Sequence, residues 1–273
     1  MASASLGLTV GRIPFLVCSP FFHEDTQSPP AGIIFRDGPP SWQNRELFQG
    51  NVQLAPSSSF AYAKNPEIFH ILPEICTGST LEIRSVKLFS HRPIKDLNEQ
   101  PVHLTPQSGT SIALLKLLCN QFLGIKPRWV ENNWGTEPCA ARLLIGDQAL
   151  QEDSFGAWAF RYDLASLWQQ WQGLPFVFGM WIVHNSALQQ PVLLQEYREH
   201  LSESIMAFRA EPRLALEGWT KKYPTRIPMD TLLDYFEVVD YRFTEAHKES
   251  LAIFFRLCYQ AGMIPEIPHL YFL

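Results

Sequence analysis

The chain has 273 residues, of which 46% are hydrophobic and 18% charged, and its formal net charge is −5. This composition is typical of a folded globular protein rather than a disordered chain. An acidic chain without a basic tract also argues against nucleic acid as a partner.

The cysteines and apolar runs narrow the class further. No cysteine belongs to a CxxC pair or lies close to a histidine cluster, which argues against disulfides and against a metal site. The five cysteines are Cys18, Cys76, Cys119, Cys139 and Cys258. No run approaches the ~18 apolar residues of a membrane span. The apolar segment 13–22 lacks a preceding cationic region, so it is predicted to be a buried strand and loop rather than a signal peptide. The expected location is the cytoplasm.

The first half of the chain alternates short apolar strands with helices. Glycine, proline and serine separate these segments, with a polar loop at 24–31, an N-cap at Ser41 and a helix stop at Gly50. The predicted strands are 8–16, 33–35, 51–55, 85–90 and 102–105, and the predicted helices are 42–48, 60–65 and 110–122. This order is typical of α/β proteins and predicts a mostly parallel sheet with helices on its faces.

The second half contains two buried strands and then becomes helical. Strand 141–145 ends at Gly146-Asp147, Asp163 is predicted to cap a helix, and the apolar run 174–183 predicts a strand that is buried on both faces. Helices are predicted at 192–210, 211–220, 228–238 and 244–262, with a short strand at 241–243. The pattern predicts two lobes, formed by 1–92 with 180–273 and by 93–179, with the chain crossing near 90–96 and returning near 176–183. A ligand is then expected in the crevice at the carboxyl ends of the strands.

Hydroxyl residues follow the predicted strands at three places. Ser57, Ser58 and Ser59 lead into one helix, the 105–111 loop with Thr110 and Ser111 leads into another, and the polar stretch 76–80 precedes Ser85. The first N–H groups of a helix lack partners and attract anions, so two such loops facing one cleft would hold a small dicarboxylate. Ordinary helix capping is the alternative for each loop taken alone.

Asp147 and Arg84 are the charged candidates. Asp147 ends a buried strand, where it could accept a hydroxyl proton or order a water, or could simply cap the next turn. Arg84 could pair with a ligand carboxylate or lie on the surface. The eight histidines form no HExxH motif, and the chain has no GxSxG, P-loop or GxGxxG motif to indicate a serine hydrolase, an NTPase or a dinucleotide enzyme.

Several segments in one order carry a family resemblance. They read VGRIPFL (10–16), PSWQNRELFQGNVQLAPSSS (40–59), SVKLFS (85–90), LTPQSGTSIALLK (104–116), ARLLIGDQAL (141–150) and YDLASLWQQWQGLPFVFGMW (162–181). Together they resemble the chorismate dehydratases of the futalosine route to menaquinone. The resemblance implies a two-lobed clamp of the periplasmic-binding-protein type II kind and a hydro-lyase that converts chorismate to 3-[(1-carboxyvinyl)oxy]benzoate. It implies no cofactor.

The resemblance also implies a site and a mechanism. The Ser57–Ser59 loop and the helix start at Thr110-Ser111 are expected to hold the ligand's carboxylates, with Ser85 close by. The enolpyruvyl carboxylate of the substrate is expected to act as the base, with Asp147 or a water near the leaving hydroxyl.

The chain departs from the family pattern at two positions. Val17 stands where the family usually has asparagine, and Arg84 replaces a small residue. Gly146 stands where the sister 1,4-dihydroxy-6-naphthoate synthases carry a histidine, which favours the dehydratase. That synthase and a non-catalytic carboxylate-binding protein of the same fold are the alternatives. The C-terminal helices could support a dimer.

Overall fold

A computed structural model describes residues 7–23, 30–131 and 138–273. Most of the predicted polar loop, residues 24–29, lies outside the described residues. The strands are β1 (Leu8–Arg12), β2 (Ile33–Asp37), β3 (Leu54–Ser58), β4 (Phe69–Ser79), β5 (Val86–Ser90), β6 (Pro101–His103), β7 (Arg128–Val130), β8 (Ala141–Ile145), β9 (Phe160–Asp163), β10 (Phe176–His184) and β11 (Asp240–Arg242). The helices are α1 (Ser19–Phe22), α2 (Pro40–Phe48), α3 (Ser59–Lys64), α4 (Gly109–Leu117), α5 (Gly146–Phe155), α6 (Leu164–Gln172), α7 (Pro191–Ala210), α8 (Pro212–Lys222), α9 (Met229–Phe236) and α10 (Glu245–Gln260).

The strands form two mixed sheets. One has the order β11-β4-β10-β3-β1-β2 and the other the order β7-β6-β8-β5-β9. Strands β1, β2 and β3 pair in parallel, as do β6, β7 and β8, but β4, β10 and β11 pair antiparallel, and β5 is antiparallel to both of its neighbours. The predicted mostly parallel sheet is therefore wrong. The chain leaves the first sheet along β4 and returns beside it along β10, and neighbouring outgoing and returning strands must be antiparallel.

Each sheet is the centre of one lobe, so the α/β class and the two-lobed architecture are confirmed. The chain crosses to the second sheet between Ser79 and Val86, earlier than the predicted 90–96. Strand β5 lies within the predicted first lobe 1–92, yet it pairs with β8 and β9 in the second sheet. The chain is back in the first sheet at Phe176, whose register partner is Ser79.

Five elements were absent from the sequence prediction: strands β4, β7 and β9 and helices α1 and α5. Strand β4 was missed because Pro73 lies inside it and its apolar and polar residues do not alternate regularly. Helix α5 was missed because its outer face is polar and it starts directly at the end of β8. The predicted cap at Ser41 is also wrong, because α2 begins at Pro40 with Pro39 as its N-cap. The four C-terminal helices are confirmed to within two residues at each end.

A continuous apolar core joins the two lobes. Trp168 of α6 packs edge-on against Phe176 at 5.1 Å between ring centroids, and its indole N–H donates to the Ser250 hydroxyl at 2.9 Å. Edge-to-face pairs of this kind add ~0.5–1.5 kcal/mol to the burial of the rings. Within the described residues, no helix is both long and apolar enough to cross a bilayer.

Candidate functional site

A cleft that is open to solvent lies between the two lobes. One part of its wall is aliphatic and aromatic, and the other carries hydroxyl groups. The lining residues are Ile13, Phe15, Val17, Cys18, Pro40, Pro56, Ser57, Ser58, Thr77, Ile83, Ser85, Val86, Gln107, Ser108, Ser111, Ile145, Gly146, Phe178 and Gly179. Among the described residues of this lining no side chain is charged, and its polar groups are neutral hydroxyls, a thiol and an amide.

The serines at the end of β3 divide between the cleft and the interior. Ser57 and Ser58 line the cleft, and the Ser57 hydroxyl donates a hydrogen bond to the side-chain amide oxygen of Asn44. Ser59 is fully buried and donates to the Val177 carbonyl at 3.0 Å, so the expectation that it contacts the ligand is not supported. It opens α3, and its hydroxyl lies between the Val177 carbonyl of β10 and the Thr110 hydroxyl of α4.

The start of α4 lies opposite these serines. The helix begins at Gly109, one residue earlier than predicted, and Ser108 is its N-cap, accepting from the Ser111 N–H at 3.1 Å. Ser108 and Ser111 line the cleft. The cleft is therefore lined by two hydroxyl residues at the start of a nine-residue helix, where the helix dipole favours an anion.

Thr110 joins the two loops and does not line the cleft. Its hydroxyl lies 2.7 Å from that of Ser58 and 3.1 Å from that of Ser59, and it accepts from the Phe60 N–H at 3.0 Å. The side chain is fully buried, so its expected role as a ligand contact is corrected to a connection between α4 and α3. The two loops meet through Thr110, and Ser111, although buried, is the residue of the pair that lines the cleft.

Ser85 lies in the cleft lining and is held by an unusual turn. Asp163 accepts from the N–H groups of Ile83 (3.2 Å) and Arg84 (2.7 Å) and, as predicted, caps α6 through Ala165 at 2.9 Å. One half-buried carboxylate thus fixes both the turn before β5 and the start of α6.

Arg84 is turned away from the cleft. Its φ of 60° places it in the left-handed region, and its guanidinium pairs with Glu82 at 2.7 Å and donates to the Asp234 carbonyl at 3.1 Å. The expected pairing of Arg84 with a ligand carboxylate is therefore wrong. The left-handed turn points the side chain outward while the next residue, Ser85, points in.

Gly146 and Asp147 lie where the loop after β1 meets the second lobe, and Gly146 lines the cleft. Gly146 has a φ of 58°, a backbone conformation that favours glycine. A Cβ at this position would also lie only 2.9 Å from the Phe15 ring, so both the backbone and the packing favour glycine here. The Asp147 carboxylate accepts from the Leu16 N–H at 3.0 Å and does not line the cleft. Burial raises the pKa of this carboxyl from 3.8 to about 6, against the opposing effect of the Leu16 hydrogen bond. Val17 lines the cleft, and its carbonyl accepts from the Tyr241 hydroxyl at 2.7 Å.

The sequence prediction missed part of the site. Phe15 and Phe178 supply the aromatic wall, and Gln107 and Ser108 lie in the predicted loop but were not singled out. Tyr235, whose hydroxyl donates to Ser85 at 3.0 Å, belongs to a distant helix and carries no local sequence signal. In the described parts of the chain, no three His, Cys, Asp or Glu side chains come together as metal ligands.

Comparison with known proteins identifies the family. The model of a family described as menaquinone biosynthesis matches residues 8–260. The chain belongs to this family. A chorismate dehydratase of Thermus thermophilus is 32% identical over an alignment of 188 residues. The alignment covers 62% of this chain and 68% of that protein.

Solved structures agree on the fold. A protein of Archaeoglobus fulgidus superimposes with a TM-score of 0.74 at 19% identity, covering 96% of this chain and 100% of its own. The periplasmic aliphatic sulphonate binding protein of Escherichia coli superimposes with a TM-score of 0.66 at 13% identity, covering 97% of this chain and 90% of its own. This chain therefore has the periplasmic-binding-protein fold that its sequence predicts.

Proposed function

We propose that this protein is a hydro-lyase that dehydrates chorismate to 3-[(1-carboxyvinyl)oxy]benzoate, the first step of the futalosine route to menaquinone, in the cytoplasm. The observation that carries the proposal is the 32% identity to a chorismate dehydratase over 68% of that protein. The cleft supports it, because chorismate carries two carboxylates on a small ring and the cleft offers hydroxyl donors beside an aromatic wall.

The carboxylates bind, in this proposal, to Ser57, Ser58 and Ser111 and to the first N–H groups of α4, with the Ser57 hydroxyl turning from the Asn44 amide oxygen to the ligand. Hydrogen bonds to a charged group contribute ~1.5–3 kcal/mol each, and a helix start adds a favourable dipole. The ring packs against Phe15 and Phe178. These two side chains and the turn at Gly146 exclude water from the reacting atoms. Formation of an aromatic ring drives the reaction. The protein therefore mainly has to orient the reacting groups and exclude water.

The proton acceptor, in this proposal, is the substrate's own enolpyruvyl carboxylate. It reaches the proton on the ring carbon that bears the ether through a six-membered arrangement. The C–H electron pair becomes a ring double bond, the neighbouring C–O bond breaks, and the departing hydroxide takes the transferred proton to leave as water. The lining supports this assignment, since among the residues that the structure describes it includes no histidine, lysine or carboxylate to act as a base.

Asp147 remains the alternative base, and its variants separate the two mechanisms. With its carboxylate engaged by the Leu16 N–H, Asp147→Asn keeps an oxygen acceptor at that position and is expected to retain turnover. Asp147→Ala is expected to bind and turn over less well together, as the loop loosens. If Asp147→Ala abolished turnover while leaving binding intact, Asp147 would be the base instead.

The decisive experiment mixes the purified protein with chorismate and looks for the aromatic product by ultraviolet absorbance and chromatography. A parallel reaction with the Thermus thermophilus relative serves as the positive control, and Ser57→Ala, which removes a lining hydroxyl, is expected to raise KM. No product under conditions where the control reacts would sink the proposal. Binding of chorismate without product would indicate a binding protein, and conversion of a dehypoxanthine futalosine would indicate the sister synthase.

A further inference from the structure

Tyr235 connects the C-terminal helices to the cleft. It lies in α9, is 1% exposed, and its phenol oxygen is 3.0 Å from the hydroxyl oxygen of Ser85. Ser85 begins the second lobe just before β5 and lines the cleft. A side chain of the first lobe thus contacts a cleft hydroxyl of the second from behind.

The direction of this hydrogen bond follows from the burial of both groups. Ser85 is the hydrogen-bond partner of the Tyr235 hydroxyl within the described residues. If Ser85 donated, the phenol proton would be buried without an acceptor, at a cost of ~1–3 kcal/mol. Burial also raises the pKa of Tyr235, so the phenol keeps its proton. Tyr235 therefore donates and Ser85 accepts.

A serine that accepts from behind keeps its own proton for the other side. A hydroxyl has one proton and two lone pairs, and Tyr235 occupies one lone pair of Ser85. The backbone of the same turn is held by Asp163 through Ile83 and Arg84, so the position of the Ser85 oxygen is fixed as well. The Ser85 hydroxyl therefore keeps one proton that it can donate to a ligand in the cleft, whose described lining carries no cation.

We infer that Tyr235 is a positioning residue that makes Ser85 a hydrogen-bond donor to a ligand carboxylate. The inference rests on the proposed function for the identity of the ligand. Tyr235 does not line the cleft, so its effect on the ligand passes entirely through Ser85. Without the phenol, the Ser85 hydroxyl is free to rotate, and its donor spends part of its time pointing away from the carboxylate.

The test is a double-mutant cycle of Tyr235→Phe and Ser85→Ala, with chorismate turnover as the readout. Tyr235→Phe keeps the ring that packs in the core and removes only the hydroxyl. We expect it to lower kcat/KM about 5-fold to 10-fold, mainly through KM, because the lost interaction is made by the bound substrate as well as the transition state. In the Ser85→Ala background the same change is expected to have less than about a twofold effect, since the residue through which it acts is gone.

A matched control separates this role from general loss of a buried tyrosine hydroxyl. Tyr62 is also fully buried, and its hydroxyl donates to the His269 carbonyl (2.7 Å) and accepts from the Tyr271 N–H (2.9 Å), outside the cleft lining. Tyr62→Phe is expected to lower the free energy of unfolding without changing KM. An equal loss from Tyr235→Phe in the presence and absence of the Ser85 hydroxyl, or an unchanged KM, would overturn the inference.

A binding measurement keeps the inference separate from the reaction. The dissociation constant of 3-[(1-carboxyvinyl)oxy]benzoate, measured by calorimetry, is expected to rise in Tyr235→Phe by the same factor as KM. A wild-type protein that binds this carboxylate but forms no product refutes the proposed function alone, and the cycle is then completed with dissociation constants. Equal dissociation constants for wild type and Tyr235→Phe, or no binding by the wild type, refute the inference.

Discussion

Replacing Asp147 with asparagine should make the protein more stable at neutral pH, although it removes a charged partner of the Leu16 N–H. The carboxyl pKa rises from 3.8 to about 6 on folding, because burial outweighs the hydrogen bond. The native state therefore holds this proton more tightly than the unfolded state does. Stability contributed by this group falls as pH rises from 3.8 to 6 and stays low above that. At ~1.4 kcal/mol per pH unit, the ionised carboxylate costs about 3 kcal/mol above pH 6.

Asparagine cannot ionise and is close in shape, so Asp147→Asn avoids that cost. Its amide nitrogen needs a partner of its own, which reduces the expected gain to about 1–3 kcal/mol at pH 7.5. The gain should disappear as the pH approaches 4, where the ionisation cost is gone and the amide leaves Asp147→Asn up to about 2 kcal/mol less stable than wild type. Urea unfolding of both proteins at pH 4.5, 6 and 7.5 gives the three differences in free energy of unfolding.

Asp153, on the same helix α5, provides the control. Its carboxylate pairs with Lys87 at 2.7 Å and Arg161 at 3.3 Å on the partly exposed side of the helix. Asp153→Asn should destabilise the protein by ~0–1 kcal/mol at pH 7.5, opposite in sign to the change at Asp147. An Asp147→Asn protein that is less stable than wild type at pH 7.5, or a difference that does not change with pH, would refute the reasoning.

Two further substitutions probe the supports of the cleft. Asp163→Ala removes the acceptor of four backbone N–H groups, so unfolding by urea should show a loss of about 3 kcal/mol or more, and KM should rise as the turn before Ser85 loosens. Unchanged stability would contradict its role as a shared cap. Gly146→Ala forces a left-handed backbone on alanine and a Cβ against Phe15, so it should cost about 1–3 kcal/mol and weaken substrate binding. Gly218→Ala, in α8 with open space around its Cα, should instead stabilise by about 0.5–1 kcal/mol, and equal effects of the two glycine substitutions on the melting temperature would argue against the strain.

Sequence patterns predicted those parts of the molecule that depend on local order. The helices after residue 190, the buried strand β10 and the cap at Asp163 follow from periodicity and capping chemistry. The loops with Ser57, Ser58 and Ser111 follow from helix-start physics and from the family resemblance.

The remaining errors have a common physical cause, since they depend on contacts between distant segments. Ser59 and Thr110 belong to the predicted loops, but which side chain faces the cleft is decided by the packing of α3 against α4. Arg84 points outward because Asp163, 79 residues away in the chain, fixes its backbone. Tyr235 lies 150 residues from Ser85, and a tyrosine on an amphipathic helix is indistinguishable in sequence from an ordinary core residue.

The pairing of β4 with β10 has a consequence for how the two lobes are related. Phe176, the first residue of β10, is the register partner of Ser79, the last residue of β4. Residues 80–175 therefore leave and re-enter the first sheet at a single point, as an insertion into the turn of one long β-hairpin. Since the ends of this insertion are held together by the ladder itself, its length adds little to the entropy of closing the loop. The strand order of the first sheet therefore does not depend on the length of the second lobe.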